Sequence, residues 1–234
     1  MKINVVCALK YHGTNPITID LPDGISDAVE TEHTPAAQRG TWNKGRITFF
    51  VKGEPDELFE ERGSFIRRVF NVAATEWDIE LELVIDQTYN EDEADIIIEF
   101  GLKANDRYYA NAGNVLAYAG YPDGGLKGYM KVFTDWDWNV SGSLNFVTMI
   151  IHELGHILGR PHSERKLWKD IMDPAINQQI TELSDFDILG GTLAYGPRIF
   201  SSDDAKDRLE KANRRQKERL KLETLSTIVS SETH

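Results

Sequence analysis

The chain has 234 residues, of which 41% are hydrophobic and 27% charged. That balance belongs to a folded domain with a core of its own and excludes a disordered chain. A net charge of −12 disfavours nucleic acid and anionic membranes as partners, and a single Cys, Cys7, excludes a disulfide framework or a multi-cysteine metal site.

No apolar run approaches 18 residues, so no transmembrane helix is expected. The apolar stretch Val5 to Leu9 is too short for a signal-peptide core. A cytoplasmic location or export by a non-classical route is the expectation. INVVCAL (3–9) and PITIDLP (16–22) read as short strands around a turn, followed by a polar loop. Residues 1–37 form an N-terminal extension of unknown role. RITFFV (46–51) is β-rich. Glu54, Pro55, Asp56 and Glu57 read as a helix start. Ile66, Val69, Phe70, Ala73 and Trp77 recur at helical spacing, so that helix should run to about Glu76. Leu81–Ile85, Ala94–Phe100, Asn114–Ala119 and Tyr129–Phe133 read as strands. Two further helices are expected, from about Leu144 to Leu158 and from Leu183 to Tyr195. This order implies one α+β domain, 38–197, built on a mixed sheet. Residues 198–234 read as a charged amphipathic helix or tail. From 201 onward they carry eight Lys and Arg against seven Asp and Glu, and can dock a partner or rest lightly on the body.

Three of the six His lie within eleven residues, in His152-Glu153-Leu154-Gly155-His156-Ile157-Leu158-Gly159-Arg160-Pro161-His162. His152 and His156 are four apart in a helical run, so their imidazoles leave one face a turn apart. That spacing lets both reach one zinc ion at about 2.0–2.1 Å. Gly159 can end the helix in a left-handed turn, and Pro161 keeps the chain extended. His162 can then return as a third ligand. Three protein ligands leave a fourth position for water, the arrangement of a catalytic zinc. Glu153 points to the side, where a carboxylate can take a proton from that water and pass it to the leaving amine. Ligand His must be neutral, so zinc and activity are expected to be lost as pH falls well below about 6.

HELGHILGRPH resembles the metzincin zinc signature. Asp170-Ile171-Met172-Asp173-Pro174 resembles the Met-turn, with Met172 beneath the zinc-binding residues. Within the metzincins the resemblance is to the matrixins, the matrix metalloproteinase-like peptidases. It runs over roughly residues 38–197 and includes Trp42 with RITFFV, ADIIIEFG, NVLAYAGYP and LSDFDILGGTLAYG. It implies a twisted, mostly parallel sheet with an antiparallel edge strand and three helices. The activity it implies is zinc-dependent endopeptidase, with protein or peptide as substrate. Substrate would lie along Asn114, Val115, Leu116, Ala117, Tyr118 and Ala119. Thr148 matches a position that limits the primed-side pocket, and its small size implies a pocket open to a medium or large apolar side chain.

The sequence departs from the family at several points. Tyr118 and Lys131 stand where matrixins carry His ligands of a second, structural zinc, so that zinc is not expected. Asp135 and Asp137 stand where the family often binds Ca2+, and an exposed acidic loop accounts for them equally well. Phe186 replaces one of two paired Asp residues, while Asp187 remains. Cys7 matches nothing of the family's inhibitory PRCG-type segment. A zinc-binding structural or interaction protein with this fold and no turnover is the alternative reading.

Overall fold

Burial alternates along Arg46–Lys52, with Ile47, Phe49 and Val51 turned into the core. A strand imposes that period of two. In the computed structural model of the chain, the described residues are 8–10, 37–53, 63–111, 115–136, 138, 145–163, 170–174 and 180–198. The expected PITIDLP strand and helix start at 54–57, together with Cys7, Asn114, Asp137 and the tail from 199 onward, lie outside them. The elements are β1 (Ala8–Lys10), β2 (Arg46–Lys52), α1 (Gly63–Asp78), β3 (Val84–Gln87), β4 (Ile96–Gly101), β5 (Val115–Ala119), β6 (Tyr129–Phe133), α2 (Phe146–Ile157) and α3 (Asp185–Tyr195). They form a six-stranded sheet in the order β1-β5-β6-β4-β2-β3.

β3, β2, β4 and β6 run parallel. β5 is antiparallel to β6, as expected for 114–119. Outside it lies β1, antiparallel to β5, with Ala8 opposite Tyr118 and Lys10 opposite Val115. The third strand begins later than its sequence implies, at Val84 rather than Leu81. Its partner β2 starts at Arg46, opposite Val84, so Leu81 and Leu83 have no strand beside them. Both are still buried, and Leu81 bridges to Pro197 instead.

α1 buries Ile66, Val69, Phe70, Ala73 and Trp77, the stripe that its spacing implies. Trp77 Nε1 donates to Ile151 O at 3.0 Å, which ties α1 to the middle of α2. Trp42 Nε1 donates to Ile157 O at 2.9 Å and ties the entry to β2 to the end of α2. These buried indole bonds hold α2 to α1 at its middle and to the segment before β2 at its end.

β5 is held from the solvent side by an aromatic cluster. Tyr118 OH donates to Asp106 Oδ2 at 3.0 Å, while Asp106 Oδ1 accepts from the N–H groups of Tyr108 and Tyr109. The Tyr108 and Tyr109 rings pack on Tyr118, at centroid distances of 6.1 and 4.9 Å. Lys131 Nζ donates to Phe100 O at 3.2 Å. Tyr118 and Lys131 thus hold a phenol and an ammonium with bonds of their own. Tyr118→Phe should lower the stability of the metal-free chain by about 1–2 kcal/mol in urea unfolding, because it strands Asp106 Oδ2. An unchanged midpoint would show that the bond contributes nothing to holding the loop.

Candidate metal centre

α2 begins where Asn145 Oδ1 accepts from the N–H groups of Val147 and Thr148, at 3.0 and 3.2 Å. Every residue from Phe146 to Ile157 is buried, so the helix runs through the core. Its two His side chains therefore have no water to satisfy them. The main chain does so: His152 Nδ1 bonds to Ile171 O and His156 Nδ1 to Arg160 O, both at 2.6 Å. A carbonyl only accepts, so each Nδ1 carries the proton and each Nε2 presents a lone pair. The two Nε2 atoms lie 2.9 Å apart. His162 closes the group, its ring centroid 5.2 Å from that of His152 and 5.0 Å from that of His156.

The return of His162 depends on Gly159. Its φ is +86°, and a Cβ there would lie 2.4 Å from Gly40 O. Both conditions demand glycine. Arg39 N donates to Gly159 O at 2.8 Å and Gln38 Nε2 to Leu158 O at 2.5 Å, so the chain entering the domain clamps the turn. Below, Ser163 N donates to Met172 O at 2.6 Å. Met172 Sδ fits the space over Gly155, 2.3 Å from where a Cβ would stand. The methionine and the glycine between the two helical His are therefore one packing unit. Asp187 holds that turn in place, accepting from Ile171 N at 2.8 Å and Met172 N at 3.2 Å. It also completes the capping box of α3 with Ser184.

Glu153 is fully buried, and neither carboxylate oxygen has a hydrogen-bond partner among the described residues. Burial pushes its pKa well above the ordinary carboxylate value. Burial first, then the neighbouring imidazoles, pulls His152 down to about 3 and His156 well below its usual value, while burial alone takes His162 to about 4. Facing lone pairs are what a cation shared by the ring nitrogens would resolve. Among the described residues, His152, His156 and His162 are the group whose ligand atoms gather closely enough to hold one metal ion, all within 4.8 Å of one another. Three imidazoles suit zinc in number and kind. A separate hollow of about 600 Å³, lined by Thr41, Trp42, Lys44, Glu82 and Tyr195 among others, takes in none of these residues.

Of the other residues singled out in the sequence, Thr148 is buried on α2, and its hydroxyl donates to Ile180 O at 2.7 Å. Val115, Leu116, Ala117, Tyr118 and Ala119 form β5, which leads through Gly120 to Tyr121. The Tyr121 ring meets His156 edge-on at 5.3 Å. Sequence reasoning missed Tyr121, Arg160 and the hold of Asp187 on the Met-turn. Only the last had a signal, the Ser184-x-x-Asp187 spacing of a capping box.

The depressed His pKa values move the expected acid loss below the free-imidazole value. In the fold the trio stays neutral to about pH 4. Unfolded, each His titrates near 6.5, so its contribution is complete above 6.5 and is lost as pH falls towards 4. Glu153 has the opposite sign: its raised pKa costs stability as pH rises above about 4.5. The metal-free chain should therefore unfold at progressively lower urea as pH drops from 6.5 to 4. Glu153→Gln should be more stable than the parent at pH 7.5. A flat profile, or a less stable Gln variant, would contradict this placement of the charges.

Residues 41–196 match the family described as Matrixin, peptidase group M10. Karilysin of Tannerella forsythia is 32% identical over 133 residues, which is 54% of this chain and 27% of that protein. Stromelysin-1 of Equus caballus is 28% identical over 172 residues, 69% of this chain and 34% of that one. Human matrix metalloproteinase-26 is 27% identical over 184 residues, 76% of this chain and 67% of that one. The chain thus spans about a third or less of the first two relatives. The family match covers most of the chain and takes in the HExxHxxGxxH helix, its glycine turn and the Met-turn, and on that extent the chain belongs to the matrixins, within the metzincins.

Proposed function

We propose that the chain is a zinc-dependent endopeptidase. The observation that carries this reading is a cluster of three converging imidazoles, with Glu153 next in sequence to His152 as a fully buried carboxylate that has no hydrogen-bond partner among the described residues. His152, His156 and His162 hold the metal, and Met172 supports them from below. Zinc, when bound, polarises the scissile carbonyl and makes water a nucleophile near neutral pH. Glu153 takes the proton from the attacking water and delivers it to the departing amine. Matrix metalloproteinase-26 carries a name of this class, which supports the same reading.

β5 is the rail for the substrate main chain, by strand addition. It leads to the ring that meets His156, so a peptide along it passes the metal. Asn114 precedes it in the sequence and lies outside the described residues. β1 already pairs with that edge, so substrate and β1 compete for the same backbone groups. Thr148, tied to Ile180 O, borders the pocket that receives the side chain after the scissile bond, which we expect to favour medium or large apolar residues.

The reading is tested with an internally quenched peptide pool and the zinc-loaded full chain. Glu153→Ala should cut kcat by about 100- to 10,000-fold at equal zinc content, and a chelator should abolish cleavage by the parent. Equal turnover by parent and variant would remove Glu153 from the chemistry. A parent that binds zinc and cleaves nothing would favour the alternative of a zinc-binding protein without turnover. Competition by β1 is tested with Leu9→Pro and Lys10→Pro. Successive strand amides point to opposite sides, so one of the two must remove a donor from the ladder. That variant should lower KM about tenfold and leave kcat unchanged. Parental KM in both would mean that β1 does not compete.

A further inference from the structure

Gly190 on α3 has no room for a side chain. A Cβ there would lie 1.9 Å from Arg160 Nη2 and 2.0 Å from Arg160 Cζ. The guanidinium therefore rests directly on the α3 backbone. Arg160 is only 3% exposed, and its Nε is enclosed without a hydrogen-bond partner among the described residues. A guanidinium does not shed its charge in a protein, so this is a buried cation. Such a cation is costly to bury unless something opposite faces it. Asp187, fully buried on the same helix, is the carboxylate whose charge acts on it.

The main chain of Arg160 is part of the metal centre. Its N–H donates to Gly155 O at 2.8 Å, and its carbonyl accepts from His156 Nδ1 at 2.6 Å. Asp187 accepts from Ile171 N, and Ile171 O accepts from His152 Nδ1. Both Nδ1 contacts of the helical His pair thus end on residues joined to Arg160 or Asp187. Neither the zinc-binding motif nor the Met-turn specifies a cation at position 160.

We propose that Arg160 is a positioning residue of the metal centre: seated on Gly190 of the helix that carries Asp187, it pins the turn after α2 so that its own carbonyl aims His156. The proposal rests on the reading of the three histidines as metal ligands. A side chain that merely filled space would change stability alone. One that aims a ligand changes how tightly and in what geometry the metal is held, since partners of ligating His alter metal affinity by about 10- to 100-fold.

The test uses the full chain loaded with zinc and follows release to an excess of chromophoric chelator. Arg160→Met, Arg160→Lys and Gly190→Ala are compared with the parent. Each is also loaded with Co(II) for its ligand-field spectrum, and the metal-free thermal midpoint is recorded. Arg160→Met should release zinc about 10- to 100-fold faster, with a shifted cobalt spectrum. Arg160→Lys keeps the charge without the planar fork and should fall between. Gly190→Ala pushes the guanidinium off its seat and should move release and spectrum the same way. If Arg160→Met does not fold, the other two variants carry the test. Release within twofold of the parent and unchanged cobalt spectra in the folded variants would overturn the proposal, even with lower thermal midpoints. A parent that binds no zinc would overturn the endopeptidase reading itself, which the parent control reveals separately.

Discussion

Two imidazole nitrogens lie 2.9 Å apart in the middle of a fully buried helix, each with its lone pair turned towards the other. That arrangement has no internal compensation. It is imposed from outside the pair, because the carbonyls of Ile171 and Arg160 take both Nδ1 protons. Burial removes the simplest escape, protonation of a ring, by holding the His pKa values far below their usual range. The cost must be met by the packing around α2, and a cation shared by the ring nitrogens would relieve it.

The rest of the architecture serves this constraint. Indole bonds from Trp42 and Trp77 hold α2 in the core. Gly159 lets the chain turn sharply enough for His162 to come back, and residues 38–40 cover that turn. Met172 lies over Gly155, and Asp187 holds the main chain of the turn that carries it. β5 continues to Tyr121, whose ring meets His156, so this strand leads to the three histidines. Along that edge β1 makes the pairing that a peptide would make.

Much of this was legible in the sequence, because its strongest signals are local. The i, i+4 His pair, the glycine stop and the alternation of 46–52 each follow from a fixed geometric period. Tyr129–Phe133 has the same bounds in the structure as its composition implies. What was hidden depends on contacts distant in the chain. Leu81 is apolar enough for a strand but lies beyond the start of its partner β2. Arg160 reads as a surface residue after a helix, and only the approach of Gly190, thirty positions on, shows it buried. Tyr118 and Lys131 are set in the sequence by residue type alone. The phenol–carboxylate bond of Tyr118 to Asp106 could not be read from either partner alone. The pairing of β1 with β5 is likewise a matter of register between segments more than a hundred residues apart.

The measurement that bears most directly on this account is a zinc titration of the metal-free full chain at neutral pH, beside His156→Ala, with far-UV circular dichroism recorded throughout. The account predicts one zinc per parent chain, no change in secondary structure on binding, a higher unfolding midpoint in the bound form, and loss of tight binding in His156→Ala. Absence of binding by the folded parent, or undiminished binding by His156→Ala, would contradict the claim that the buried histidines form a cradle built for one cation.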